Sequence, residues 1–195
     1  MSCYTPHTAI ETPDGPAPVQ MLCAGDRVVT RDHGTQTIRW VSVRRLDWRR
    51  FLSAPHMKPV LIQAGALGPG TPARDMMVSP NHRFLVGQDH TFLPLGGRPA
   101  FVAAKHLVDN RAIHRVDCVA THYIHFTLDA HAALRANDCW SECYQPAIPR
   151  GDGQGNAQRN ELFDIFPELM GPAGVAATPP RRTRFLRHAP LRRAN

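Results

Sequence analysis

The sequence predicts an almost entirely β protein. Its apolar residues fall in short β-branched runs, and glycine, proline and aspartate separate these runs. Turn residues at 13–15, 32–34, 68–70 and 96–97 accept positive φ or preset a turn, and they lie where strands must reverse. We predict ten strands, at 8–11, 27–30, 37–43, 60–64, 76–78, 83–86, 101–104, 113–116, 122–128 and 139–143.

Composition changes after residue 145 and divides the chain into three parts. Residues 1–145 form the β domain, which is long enough to bury a core. Residues 146–170 begin with a Gly- and Pro-rich linker and continue into a short helix at 158–166. The helix is expected to pack on the domain, because its apolar residues recur at spacings of three and four: Leu162, Ile165, Phe166 and Leu169. Residues 171–195 are predicted to be a disordered Arg- and Pro-rich tail.

The net charge is +7, and the positive charge is only partly concentrated, in one group of arginines at 39–50 and another at 181–193. We expect solvated arginines and no nucleic-acid partner, because no zinc knuckle, helix-turn-helix or aromatic RNA-binding motif accompanies them. No apolar stretch is long enough to span a membrane, and no signal sequence is recognisable. The expected location is the cytoplasm, or outside the cell without a recognisable signal peptide, and the expected state is a monomer.

The five cysteines are irregularly spaced, which is typical of a reducing compartment and not of a disulfide framework. A zinc site formed by Cys118, His122, His125 and His131 is conceivable. However, on a strand His125 would face away from Cys118 and His122, and no C-x-x-C motif is present. We expect neither a metal nor another cofactor.

Two segments of the chain resemble each other weakly. Residues 22–28 and 107–113 share an apolar residue, a turn, a basic residue and a second apolar residue. This similarity is what a fold with two similar halves would produce.

The most informative residues are Cys3 and the motif Ser79-Pro80-Asn81-His82. A thiolate can attack the carbonyl of the preceding residue, Ser2, in an N-to-S acyl shift that replaces the peptide bond with a thioester. His82 is the candidate general acid for the departing nitrogen, and Ser79 is the candidate hydrogen-bonding group at the strained peptide. Taken singly, a terminal cysteine and a turn histidine also have ordinary structural explanations.

Together these motifs resemble the Hint domains of hedgehog proteins and inteins, especially bacterial stand-alone or fused Hint domains. The resemblance covers Cys3 to about residue 144, with residues up to 169 as its outer limit. Its blocks are Cys3-x-x-x-x-Thr8-x-Ile10, Leu22-x-x-Gly25-Asp26-x-Val28, residues 75–86 around Ser79-x-x-His82, and residues 123–143 around Ala136-Asn137. It implies a flat, horseshoe-like, nearly all-β fold with pseudo-twofold symmetry and self-processing at Cys3. It also places His125 where many members have an Asp or Cys that assists the first step.

The chain departs from the family pattern at two places. Splicing inteins end in His-Asn followed by Cys, Ser or Thr, whereas the matching positions here are Glu142, Cys143 and Tyr144. A thiol cannot form the succinimide that asparagine forms, so full protein splicing is not expected. His7 also stands where a glycine usually precedes the threonine, although histidine tolerates unusual φ better than most side chains.

We therefore expect single-turnover, autocatalytic, cysteine-dependent cleavage of the chain's own N-terminal peptide bond, with the thioester resolved by hydrolysis or by transfer to an unknown acceptor. Because Met1 and Ser2 alone precede Cys3, three explanations stay open: an earlier start, a scaffold that no longer reacts, or another acceptor. The alternative is a catalytically silent Hint scaffold used for binding or sorting. A papain-like hydrolase is disfavoured, because no helix-forming segment follows Cys3.

Overall fold

A computed structural model describes residues 2–87, 99–143, 160 and 163–166 of the chain. Within these residues the protein is mostly β, as predicted. The thirteen strands of the described part are β1 (Ala9–Thr12), β2 (Gly15–Pro18), β3 (Arg27–Val29), β4 (Thr35–Thr37), β5 (Trp40–Asp47), β6 (Val60–Ile62), β7 (Met76–Val78), β8 (Arg83–Val86), β9 (Ala100–Ala103), β10 (Ile113–Arg115), β11 (Ala120–Thr127), β12 (Ala132–Ala136) and β13 (Cys139–Cys143).

Short helical segments accompany the strands. They are α1 (Trp48–Ser53), α2 (Ala104–Leu107) and two 3-10 turns at Val19–Met21 and Pro55–Met57. No helix in the described ranges is long and apolar enough to cross a membrane.

The strands form a six-stranded sheet in the order β2-β1-β12-β13-β8-β9, a three-stranded sheet β10-β6-β7, and the pairs β11-β5 and β3-β4. The antiparallel pair of β5 and β11 runs in register over eight residues, from Trp40 opposite Thr127 to Asp47 opposite Ala120. Tyr4 forms bridges both to Ile124 in β11 and to Val78 in β7. The start of the chain is therefore held between these two strands.

The predicted strand at 37–43 is wrong in its bounds. The chain changes partners at this point, since Ile38 donates its N–H to Asp26 O at 2.8 Å and Arg39 donates to Thr127 O at 2.8 Å. Strand β4 therefore ends at Thr37, and β5 begins at Trp40 and continues to Asp47.

Strands β2 and β12 and helices α1 and α2 are among the elements that were not predicted. Strand β2 contains two prolines, which its position at the edge of the sheet tolerates. Strand β12 has the Ala-rich composition of a helix, and pairing with β13 overrides that preference. Helix α1 begins because Asp47 Oδ1 accepts from Arg49 N at 3.1 Å and from Arg50 N at 3.3 Å, which makes Asp47 its N-cap.

The two similar segments adopt similar turns. Gly25 and Asn110 occupy matching positions, and both have positive φ, 100° and 59°. In each turn an aspartate side chain accepts a backbone N–H: Asp26 Oδ2 from Cys23 at 2.7 Å, and Asp109 Oδ1 from Ile113 at 2.8 Å. Each turn leads into a short strand, β3 or β10.

Two apolar clusters form the core. The larger lies among the sheets, and the smaller gathers around Cys3, Tyr123 and Met57. Residues 163–165 are helical, and Ile165 and Phe166 are buried in the smaller cluster, which is where the apolar periodicity predicts them. The predicted linker at 146–156, the tail at 171–195, the turn at 96–97, and Leu162 and Leu169 lie outside the described residues.

Candidate active site

Cys3 is completely buried next to the end of β7. Its backbone N–H donates to Ser79 Oγ at 3.0 Å, and Ser79 N–H donates to the Cys3 carbonyl at 3.0 Å. Ser79 directly follows β7, so the end of that strand fixes the position of its hydroxyl. The nitrogen of the Ser2–Cys3 peptide is thereby bonded to a buried side chain.

The carbonyl of the same peptide contacts a histidine. His125, in the middle of β11, places Nδ1 at 2.8 Å from Ser2 O, and both residues are buried. Because a carbonyl can only accept, Nδ1 carries the proton and donates it. Both polar atoms of the Ser2–Cys3 peptide bond are therefore engaged by side chains from distant parts of the chain.

His82 lies beside this peptide at the start of β8. Its N–H donates to Ser79 O at 3.0 Å, and its carbonyl accepts from Ala104 N at 2.8 Å. The ring centroid is 4.5 Å from that of Tyr4 and 5.1 Å from that of Phe84. The side chain is completely buried, and neither ring nitrogen has a hydrogen-bond partner among the described residues.

Both imidazoles are neutral at physiological pH. Burial lowers the pKa of His82 from its ordinary value of 6.5 to about 3, and the nearby His125 lowers that pKa further. The backbone of Cys3 opposes this shift, although its geometry falls short of a hydrogen bond to the ring. Burial likewise lowers the pKa of His125 to about 4, while the bond to Ser2 opposes the shift.

His125 is enclosed by aromatic side chains. Its ring centroid is 6.0 Å from that of Trp40 and 6.2 Å from that of Phe166. Arg44 fixes the segment that carries Phe166, because its Nε donates to Ile165 O at 3.1 Å and its guanidinium carbon is 5.8 Å from the Phe166 ring centroid. The sequence predicted that this segment packs on the domain, but gave no signal that it reaches His125.

The opening segment is fixed by further contacts that the sequence analysis did not identify. Tyr4 Oη and Ser141 Oγ are 2.7 Å apart, and Thr5 Oγ1 donates to Met77 O at 2.9 Å. Thr8 Oγ1 donates to Thr5 O at 2.9 Å. His7 has φ 73°, the left-handed conformation that explains why glycine suits this position in the family pattern.

The residues that replace the splicing motif have structural contacts. Glu142 is completely buried, with Oε2 at 3.7 Å from Arg83 Nε and Oε1 at 3.4 Å from His131 Nε2. Cys143 Sγ donates to Phe126 O at 3.4 Å, and burial raises the pKa of its thiol. Cys143 is therefore a protonated core residue.

The described part of the chain brings no three His, Cys, Asp or Glu side chains close enough to hold a metal ion. Cys118 lies with Tyr123 at the edge of the smaller cluster, whereas His125 faces the Ser2 carbonyl. The four predicted site residues, by contrast, come together around one peptide bond: Cys3, Ser79, His82 and His125.

A family model described as the Hint domain matches residues 2–148 of the chain. The chain belongs to the Hint domain family. The resemblance of the opening block, the Ser79-x-x-His82 block and the closing strands is thereby confirmed at the level of family and of fold.

Solved Hint-type structures are similar over most of this Hint domain at low identity. A bacterial intein-like domain from Clostridium thermocellum is 14% identical, with a TM-score of 0.45, over 74% of this chain and 99% of that one. The gp41-1 intein is 15% identical, with a TM-score of 0.44, over 72% of this chain and 98% of that one. A DnaB intein from Synechocystis is 10% identical, with a TM-score of 0.45, over 74% of this chain and 100% of that one. No curated protein matches the sequence.

Proposed function

We propose that this Hint domain cleaves the peptide bond before Cys3 by an N-to-S acyl shift, without splicing. The observation that carries the proposal is that buried side chains hold both polar atoms of that bond, Ser79 Oγ at the nitrogen and His125 Nδ1 at the carbonyl oxygen. A peptide held in this way is ready for attack by the thiol that follows it.

In the first step Cys3 Sγ attacks the carbonyl carbon of Ser2, and negative charge develops on the carbonyl oxygen. His125 already donates to that oxygen at 2.8 Å, so it stabilises the charge without rearranging. The enclosure by Trp40 and Phe166 strengthens this interaction, because it keeps solvent away from the hydrogen bond.

The proton of the thiol must end on the nitrogen of Cys3. The low pKa of His82 keeps its imidazole neutral but makes it a weak base, so it accepts the thiol proton only as the forming C–S bond makes that proton acidic. The imidazolium formed is a strong acid in this buried setting and passes the proton to the nitrogen as the C–N bond breaks. Residue 2 is then a thioester on Cys3 Sγ, and Cys3 has a free amino group.

Water or another nucleophile then attacks the thioester carbon, the C–S bond breaks, and the proton returns to sulfur. No second intramolecular step follows in the proposed sequence. Glu142 is paired with Arg83 and His131, and Cys143 is a protonated core residue, so neither is available for asparagine-type cyclisation.

The proposal is tested by fusing a reporter domain in front of the full chain. Dithiothreitol should release the reporter at the Ser2–Cys3 bond, and hydroxylamine should leave a hydroxamate on Ser2 that mass spectrometry detects. Cys3→Ala should abolish both reactions, whereas Cys23→Ala, at a partly exposed cysteine, serves as the matched control and should leave them unchanged.

Absence of thiol-induced release, or equal release from Cys3→Ala, would overturn the proposal. An inert fusion that is folded would instead favour the silent scaffold, in which the same groups serve only to hold the chain's start.

A further inference from the structure

Exposed apolar side chains gather on one side of helix α1. The described residues include five large exposed hydrophobic side chains, and three of them lie here: Trp48 at 49%, Leu52 at 68% and Val119 at 77% exposure. Trp48 and Leu52 are four residues apart on α1 and so share a face. Trp48 N–H donates to Val119 O at 2.8 Å, which brings the third residue beside them.

Three exposed arginines lie close in sequence to Trp48 and Leu52. Arg45, Arg49 and Arg50 are exposed, and no carboxylate of the described part forms an ion pair with them. The guanidinium carbon of Arg49 lies 5.4 Å from the Trp48 ring centroid. Asp47, the nearest acid in sequence, accepts the N-cap hydrogen bonds of α1. We call the six residues Arg45, Trp48, Arg49, Arg50, Leu52 and Val119 the α1 patch.

The chemistry of the patch restricts what it can bind. Leu52 and Val119 protrude from the surface, at 68% and 77% exposure. Trp48 is the one aromatic ring of the patch, so the patch offers no series of rings on which successive bases could stack. A tryptophan beside protruding aliphatic side chains and unpaired arginines suits the boundary between lipid headgroups and acyl chains, where indole rings concentrate and cations meet anionic lipids.

We propose that the α1 patch binds the surface of an anionic lipid bilayer, with Trp48, Leu52 and Val119 entering the headgroup region and the arginines contacting lipid phosphates and carboxylates. This inference is independent of the proposed cleavage. The patch lies at the end of the β5–β11 pair where Asp47 is opposite Ala120, whereas His125 is five residues further along β11, about 17 Å away.

The test is co-sedimentation of the full chain with vesicles of phosphatidylcholine containing about a quarter phosphatidylserine, compared with phosphatidylcholine alone. The chain should partition at least about tenfold more strongly onto the anionic vesicles. A Trp48→Ala/Leu52→Ala variant should lose most of that difference, as should Arg49→Gln/Arg50→Gln. Met21→Ala is the matched control, since Met21 is 68% exposed outside the patch.

Fluorescence provides a second measurement, which requires the Trp48 ring to enter the lipid and is not produced by attraction between charges alone. Brominated lipid in the anionic vesicles should quench tryptophan emission, and Trp48→Phe should remove the quenching because Trp40 and Trp140 are less exposed than Trp48. Equal affinity of the Trp48→Ala/Leu52→Ala variant for anionic vesicles, with thermal unfolding showing it folded, would overturn the inference. So would equal, patch-independent binding to single-stranded DNA and to vesicles, which would indicate attraction to any polyanion.

Discussion

Two buried histidines flank the same peptide bond, and they differ in their hydrogen bonding. His125 donates to the Ser2 carbonyl, whereas both ring nitrogens of His82 lack a partner in the part of the chain that the structure describes. Both are completely enclosed, and burial lowers the pKa of each. A buried imidazole without hydrogen bonds is unfavourable for folding, because it has lost its bonds to water and gained none. His125 thus contributes a hydrogen bond that holds the chain's start, while His82 contributes ring packing against Tyr4 and Phe84 but no hydrogen bond within the described residues.

Of two histidines beside the same peptide bond, one therefore forms a stabilising hydrogen bond and the other forms none with the described residues. A polar group that costs stability and satisfies no bond in the resting protein is expected where a reaction needs it. The same substitution at either histidine should therefore slow the reaction, but only at His125 should it lower the free energy of unfolding.

The largest effect is expected from His82→Leu. Leucine has about the volume of the imidazole and no unbonded polar atoms, so the free energy of unfolding should stay the same or rise. Thioester formation should fall by about 10²–10⁴-fold, because no group remains to carry the proton to the nitrogen. Reporter release in dithiothreitol and thermal unfolding measure the two quantities. A marked loss of stability together with normal cleavage would reverse the assignment of His82.

His125→Leu should impair both properties. Loss of one donor to the developing oxyanion should slow the acyl shift by about 10²–10³-fold. Unlike the His82 variant, it should also lose about 1–3 kcal/mol of unfolding free energy, because the buried Ser2 carbonyl is left without a donor. Urea unfolding of the His82→Leu and His125→Leu variants and of the parent chain measures this difference. Equal unfolding free energies of the two variants would contradict it.

The free energy of unfolding should also fall as the pH is lowered. In the unfolded chain both imidazoles protonate near pH 6.5, whereas in the folded chain His125 stays neutral to about pH 4 and His82 to about pH 3. Between these limits the unfolded state binds more protons, so the free energy of unfolding falls as pH falls, by up to about 1.4 kcal/mol per pH unit for each histidine. Denaturant unfolding from pH 7 to pH 4 measures the slope. His82→Leu should remove the part of this slope that one buried histidine contributes. An unchanged slope would contradict the burial of the His82 ring.

The smallest effect is expected at Phe166. Phe166→Leu opens the enclosure of His125 without touching His82, so the pKa of His125 should rise from about 4 toward 6.5 while that of His82 stays near 3. Nuclear magnetic resonance of the histidine rings across a pH titration distinguishes the two. Phe51→Leu is the control, since Phe51 belongs to the same apolar cluster but forms none of the described ring contacts with His125. A shift of equal size in the control would assign the effect to general loosening.

Most of the fold could be predicted from the sequence, and so could the four residues that the candidate site brings together. Turn residues at 13–15 and 32–34 lie between paired strands, and the chemistry-bearing residues Cys3, Ser79, His82 and His125 lie together. Strand β12 could not be predicted, because its Ala-Ala-Leu-Arg-Ala sequence is β only through its pairing with β13. The roles of the four residues remain predictions.

The different states of the two histidines also lay beyond sequence reasoning. A histidine three residues after a serine, and another within a strand, give no indication of which ring finds a partner. That outcome depends on long-range packing, such as Tyr4 against His82 and Phe166 against His125. Burial and contact with remote residues set the pKa of each ring, and neither can be predicted from the spacing of residues along the chain.

The main-chain bonds of the first residues have a consequence for the direction of the proposed reaction. Tyr4 exchanges N–H···O bonds with Ile124 at 2.9 Å in both directions, and Cys3 is held by Ser79, so the liberated amine would stay beside the acyl group it left. Such proximity corresponds to an effective molarity of about 10⁵–10⁸ M and drives the amide to reform. The thioester would then be a scarce, reversible species, and the supply of an outside nucleophile, more than the acyl shift itself, would decide whether the chain is cut.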